Sequence, residues 1–270
     1  MSAGRACHAA CSGAGRDLEG RPTNILQRAR SGLSLLGLIV LWWAVARLAG
    51  DPGRFPGPWA VAAFAGRATA SGDMLPAMLA TLGRVLAAFL LSMSLGTAIG
   101  MVAGRSKAAN ALIDPWLVIG LNLPVLMVVV LVYIWMGLTE AAAILAVCIA
   151  KIPTVVVTVR EGARALDPSL DELAQCYALP RLRRWRHVIL PQMAPYLAAA
   201  ARGGLSVTWK IVLIVELIGR PNGVGFELNL FFQTFDVAGI VAYGLVFALV
   251  MLAAEALLLQ PLEQRANAWR

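Results

Sequence analysis

The sequence predicts an all-α membrane protein with six transmembrane helices. Three observations carry that expectation. Hydrophobic residues make up 59% of the chain and charged residues only 14%, with a mean hydropathy of +0.73. Apolar runs long enough to cross a bilayer recur six times. Lysine and arginine gather in the short segments between those runs. Soluble domains carry roughly 25% charged residues, so lipid is the simplest solvent for much of this surface. A backbone in lipid must satisfy its own hydrogen bonds, which favours helices over open strands.

Residues 1–31 hold Arg5, Arg16, Arg21, Arg28 and Arg30 but no apolar core. They read as a polar cytoplasmic tail of disordered-type composition, not as a secretory signal. Cys7 and Cys11 flank His8 there. Three possible ligands on a tail fall short of zinc-site spacing, so no metal site is expected. Cys148 and Cys176 add no disulfide framework.

Residues 32–270 read as one membrane domain. A span needs about 20 apolar residues, and the six runs lie near 33–49, 78–103, 115–137, 141–159, 195–218 and 237–259. The segment 51–76 between the first two holds Pro52, Pro56, Pro58 and Pro76 and a short amphipathic piece at 59–67. Gly96, Gly100 and Gly104 form a small-residue stripe on the second span. Such a stripe admits a close helix, within this chain or in a second copy. The short link at 138–140 makes the third and fourth spans a hairpin. Trp42, Trp43, Trp116 and Trp135 suit interfacial or packing roles, and Tyr133 suits the core better than a place lining the pathway.

Charge placement orients the spans. Arg105, Lys107, the cluster from Arg160 to Arg186, Arg265 and Arg270 all fall on the side of the amino-terminal tail. The positive-inside rule then puts both termini in the cytoplasm. The net charge of +8 thus belongs to loops and not to a nucleic-acid face.

The longest of these loops, about 161–193, is the most informative. Asp167 is a good N-cap and Pro168 suits the first helical position. Leu170, Leu173, Ala174 and Tyr177 then share one face. Pro180 is expected to end this helix. A second short helix follows, with Arg181, Arg183, Arg184 and Arg186, and Pro191 marks entry to the fifth span. Arginines beside a membrane often meet anionic headgroups. That does not account for the acid-capped helix with an apolar face just before them.

Glu172-Leu173-Ala174, three residues, Ala178, nine residues and Val188-x-Leu190-Pro191 resemble the coupling motif of ATP-binding-cassette (ABC) importer permeases. The family form is Glu-Ala-Ala, three residues, Gly, nine residues, Ile-x-Leu-Pro. Leu173 stands for the middle alanine and Ala178 for the glycine. The likeness covers roughly 75–270. It includes Thr81-Leu-Gly-Arg84, Gly104-Arg-Ser106, Asp114-Pro115, Leu123-Pro124, Trp135-x-Gly137, Arg202, Trp209, Glu216 and Gly223-x-Gly225-Phe226. Together these are similar to the nitrate/sulfonate/taurine-type branch. The third span departs from that branch, with Val130 in place of a second proline and Met127 in place of an alanine.

The resemblance implies a transmembrane permease subunit of an ATP-driven importer, in the bacterial inner membrane. Its coupling loop would engage a cytoplasmic ATP-binding subunit through Glu172, Leu173, Ala174, Tyr177, Ala178, Leu190 and Pro191. ATP and Mg would sit on that partner, since this chain has no Gly-x-x-x-x-Gly-Lys-Ser/Thr loop and no cofactor is expected on it. A periplasmic or lipoprotein substrate-binding protein and a second permease copy complete the implied assembly.

Charges within spans mark pathways or structural pairs. Lys151, Arg202, Lys210 and Glu255 are the pathway candidates. The two lysines suit a small anion such as a sulfonate or nitrate. The structural alternative pairs Glu255 with Lys151 or Arg202. A secondary transporter or channel working without ATP is a second functional reading, and repeated halves or paired helix breaks would favour it. A membrane-embedded enzyme is a third. It finds no catalytic set here, because His8 and His187 both lie outside the spans.

Overall fold

The computed structural model describes residues 24–261. The expected tail up to residue 23, with Cys7, His8 and Cys11, and the positive residues Arg265 and Arg270 lie outside the described residues. Eleven helices follow one another, with no strand among the described residues. The chain forms two compact units, divided after Pro58.

The first unit holds α1 (Asn24–Ala49). This helix begins well before residue 33, the expected start of the apolar run. The Trp42 indole donates to the Pro56 carbonyl at 3.2 Å, tying the helix to the loop after it.

The second unit holds the rest: α2 (Pro58–Ala70) from Trp59 onward, α3 (Met74–Arg105), α4 (Lys107–Asn122), α5 (Val125–Met136), α6 (Glu140–Arg164), α7 (Pro168–Cys176), α8 (Arg181–Arg184), α9 (Leu190–Gly219), α10 (Val224–Gln233) and α11 (Val237–Ala254). Four helices are long and apolar enough to cross a membrane, or five if the bent pair α4–α5 is one span. The stretch Leu33–Ala49 is a shorter apolar helix. The expected six runs are thus all helical, but not six equal spans.

The third expected span, 115–137, is not one helix. It breaks between α4 and α5 with a bend of 99°. Pro124 lacks an N–H and forces the residue before it out of the helical region, and Leu123 is extended, with φ −68° and ψ 128°. Nor is the short arginine-rich helix α8 set apart from the fifth span. Arg181 to Gly219 runs as one 39-residue helix, with a π-helical turn at Trp185–Ile189. There the Leu190 N–H bonds the Trp185 carbonyl, five residues back. Pro191 follows, and its ring crowds the carbonyl four residues before it. One extra residue in the turn relieves that clash. Glu255–Leu259 repeats the device, with Gln260 N–H on the Glu255 carbonyl and Pro261 next in the chain.

The glycine stripe of α3 packs within the unit, against α6. A Cβ on Gly96 would lie 2.6 Å from Val155, on Gly100 2.8 Å from Val159, and on Gly104 2.5 Å from Ala163. Close approach of the two backbones therefore requires glycine. Around this pair, Val129, Val147, Val212, Val215 and Phe247 are almost fully buried. Tyr133 is in this core, its hydroxyl donating to the Val215 carbonyl at 3.0 Å.

One end of the unit is closed by buried charge. Arg84 of α3 is 5% exposed and Glu216 of α9 is 0% exposed. The guanidinium donates to Glu216 Oε1 at 2.6 Å, to both Glu140 oxygens at 2.6 and 2.8 Å, and to the Asn222 carbonyl at 2.9 Å. It also donates to the Asn222 side-chain oxygen. Glu216 accepts further bonds from the Thr81 hydroxyl at 2.8 Å and from Gly225 N–H at 2.9 Å. The Thr81 oxygen accepts Val224 N–H at 2.8 Å. Arg220 closes the ring on Glu140 at 2.6 Å. Gly223, at φ +110°, lies so near that a Cβ would be 2.5 Å from the Glu216 carboxyl. Four helices, α3, α6, α9 and α10, are thereby tied at one point.

Replacing Arg84 with methionine leaves Glu216 buried and unpaired, at a cost of about 3–5 kcal/mol. The half-exposed Arg164–Glu161 pair is worth less than about 1 kcal/mol. Unfolding of detergent-solubilised Arg84→Met and Arg164→Met proteins measures the contrast. Equal midpoints for the two variants contradict the assignment.

Candidate functional site

At the other end of the same unit, α3 and α6 finish, α9 begins and α7 lies between. Asp167 caps α7 as its sequence predicts, with its side chain accepting Ser169 N–H at 2.8 Å and Pro168 in the first turn. The hydroxyl and N–H of Ser169 hold the Asp167 carboxyl below the usual carboxylate range. The Asp167 N–H in turn donates to Gln192 Oε1 at 2.9 Å, which fixes the cap to the start of α9.

Helix α7 does not run on to Pro180. It ends at Cys176, because Ala178 adopts a left-handed conformation with φ 48°. Leu179 N–H bonds the Ala174 carbonyl at 3.0 Å and Ala178 N–H bonds that of Gln175 at 2.9 Å. This pair of bonds is a Schellman motif, whose turn residue is normally glycine. Ala178 is thus the position where the motif of the resembled family carries glycine, and the backbone explains why.

The apolar face of α7 is only partly buried. Ala174 is 3% exposed, against 53% for Leu173 and 74% for Tyr177. With Leu170, Leu179, His187, Val188, Pro191 and Gln192 these residues line a groove of about 290 Å³. Five residues named for coupling are brought to this short helix and its terminal turn: Glu172, Leu173, Ala174, Tyr177 and Ala178. Pro191 joins the groove from α9. Glu172 is exposed but does not line it. Leu190 faces a different apolar cleft, with Met93 and Leu197. Arg105 and Trp185 flank the region, the guanidinium 5.9 Å from the ring centre.

The four pathway candidates do not meet at one point. Arg202 and Glu255 form an ion pair at 3.7 Å, joining α9 to the second π-helical turn. Lys151 is 3% exposed, and its Nζ lies 3.5 Å from the Gly203 carbonyl, not against Glu255. Lys210 is exposed, 5.5 Å from the centre of the Trp209 ring. A cleft of about 690 Å³ near the buried network is lined by Asp73, Glu227 and Arg67 with Phe64, Phe231 and Tyr243. Burial, with help from Asp73, pushes the Glu227 carboxyl up. No cluster of three or more His, Cys, Asp or Glu able to hold a metal occurs among the described residues.

Sequence reading missed the buried network as a unit. Thr81, Arg84, Glu216, Gly223 and Gly225 were each among the residues that carry the family resemblance, and a charge inside an apolar run normally implies a partner, but nothing in the sequence joined them into one network.

A glycine at position 178 removes the left-handed penalty, roughly 1–2 kcal/mol for an L-residue, against an added unfolded-state entropy of about 0.4–1 kcal/mol. Ala178→Gly is therefore expected to raise hydrogen-exchange protection of the amides at 176–179. Lower protection contradicts this account of the α7 terminus.

Residues 96–260 match the family described as binding-protein-dependent transport system inner membrane component. Relatives fall in the same branch as the sequence resemblance. The aliphatic sulfonates transport permease protein SsuC of Bacillus subtilis (strain 168) is 31% identical over 180 residues, covering 65% of each chain. The taurine transport system permease protein TauC of Escherichia coli (strain K12) is 27% identical over 246 residues, covering 87% of this chain and 88% of that one. Among solved structures, an amino acid ABC transporter with histidines shares the fold, with a TM-score of 0.60 and 19% identity over 74% of this chain and 97% of that one. With an all-helical unit rich in apolar spans, the chain belongs to the family of inner-membrane components of binding-protein-dependent transport systems.

Proposed function

We propose that this chain is the permease subunit of an ATP-driven importer and that α7 is its coupling helix. A separate cytoplasmic subunit holds ATP and Mg and grips α7. Closure of two such subunits on ATP pulls on α7 and, through the Gln192 contact, on α9. A periplasmic or lipoprotein binding protein delivers the substrate to the opposite face. Both termini are cytoplasmic, and two permease copies enclose the pathway. The substrate is a small anion such as a sulfonate or nitrate, in keeping with the named cargo of SsuC and TauC.

The observation that carries this reading is the half-open groove at α7. Leu170, Leu173 and Tyr177 stay exposed on a short, capped helix whose Ala174 is buried against its own chain. A helix that presents an apolar face to a groove is a common mode of partner recognition. The acid at Glu172 beside that face adds a charge for orientation.

Glu172→Lys tests the reading. ATP-driven uptake and copurification of the ATP-binding subunit are expected to fall about tenfold, equivalent to ~1.4 kcal/mol of docking energy. Full uptake with undiminished copurification of the ATP-binding subunit would count against α7 as the docking element.

A further inference from the structure

Lys151 sits at the middle of α6 and is 3% exposed. An ionisable group at the centre of a span is costly, and it pairs or marks a polar pathway. Among the described residues no carboxylate pairs with it. Its one hydrogen bond is the long contact of 3.5 Å to the Gly203 carbonyl. An ammonium has three donors, so two of them find no partner among the described residues.

Where that side chain leads is informative. Lys151 runs beneath α9 at Gly204, where a Cβ would come 3.6 Å from Lys151 Cε. It ends at Gly203, which is exposed and has nothing within 4 Å of a notional Cβ. The buried lysine therefore ends just beneath an open strip of α9. Ala199, Gly203, Val207, Lys210 and Ile214 make up that strip at three- and four-residue spacing, and all five are exposed. Lys210 is two turns beyond Gly203, roughly 10 Å along the axis at 1.5 Å per residue. Lys210 on this exposed face and Lys151 buried beneath it, neither paired with a carboxylate among the described residues, suit a ligand with negative charge.

We propose that Lys151, reaching out at Gly203, and Lys210 form an anion-binding track on α9 that takes small monoanions with terminal oxygens, such as organosulfonates. The track deepens the permease reading above and rests on it. Lys151 swings from the Gly203 carbonyl to the anion, its flexible stem allowing the exchange. Lys210 supplies the second charge. Arg202 is not part of the track, because Glu255 already neutralises it.

The test uses the full-length permease with its ATP-binding subunit in nanodiscs, with Cys7, Cys11, Cys148 and Cys176 replaced by alanine and Val207→Cys as reporter. Two methanethiosulfonate reagents are compared, one bearing an ethylsulfonate and one an ethyltrimethylammonium group. A charge about 10 Å away, screened by water of near-bulk dielectric, shifts such a rate ratio roughly fourfold. Lys151→Met is expected to lower the sulfonate-to-ammonium ratio by about that factor, and Lys151→Arg to keep it. Millimolar ethanesulfonate is expected to slow modification only when residue 151 is cationic. A ratio unmoved by Lys151→Met overturns the track, and so does a Val207→Cys thiol that neither reagent reaches. Copurification of the ATP-binding subunit with the same samples separates the two claims. If it stays bound while the ratio does not move, only the track fails. If it does not bind, the permease reading fails whatever the ratio.

Discussion

The contact between Arg84 and Glu216 is the constraint on which the rest of the second unit depends. Both charges are buried, and a buried ion left alone costs several kcal/mol. The remedy is complete hydrogen bonding. Arg84 meets Glu216, Glu140 and Asn222, and Glu216 also receives Thr81 and Gly225. These bonds specify where α10 must begin, because its first N–H groups are spent on Thr81 and Glu216. They also place the start of α6 beside α3, since Glu140 is its first residue. The glycine contacts along α3 then let α3 and α6 stay closely packed down to Gly104 and Ala163.

The opposite end is built differently. Its short helix α7 is held by an N-cap, a Schellman turn and the bond from Asp167 to Gln192. Two π-helical turns sit at this end, each just before a proline. Wide turns pack their backbone less tightly than α-helix and often occur at functional sites. A firmly bonded end and a lightly held end suit the proposed lever, in which force applied at α7 moves α9 while the far ends of α3, α6 and α9 remain joined.

Much of this was legible in the sequence, and the remainder was hidden for identifiable reasons. Hydropathy marked the apolar runs, and Asp167-Pro168 marked the start of α7, because both signals are local. The break at Leu123–Pro124 was lost because an average over twenty residues does not register one missing N–H. The end of α7 was assigned to Pro180, although Ala178 turns the chain first; alanine gives no warning of a left-handed backbone. Arg181 to Pro191 looked like a separate helix, since a π turn that absorbs a proline has no period of its own. The four candidate charges in the spans were recognised, and Glu255 was given Lys151 or Arg202 as its possible partner. The choice of Arg202 for Glu255, and the separation of Lys151 beneath α9 from Lys210 on its exposed face, depend on packing between α6, α9 and the final turn. Arg84 and Glu216 lie 132 residues apart in sequence, and no local pattern links them.

Cys176 offers a direct measurement of the central claim, that α7 is the element held by the ATP-binding subunit. It is an exposed thiol at the carboxyl end of α7. With Cys7, Cys11 and Cys148 replaced by alanine, the assembled transporter is treated with a short photoactivatable maleimide attached to Cys176. The account predicts a cross-linked product containing the ATP-binding subunit, with a yield that changes when ATP is added. Complete labelling of Cys176 that yields cross-links only to lipid or within the permease itself would contradict it.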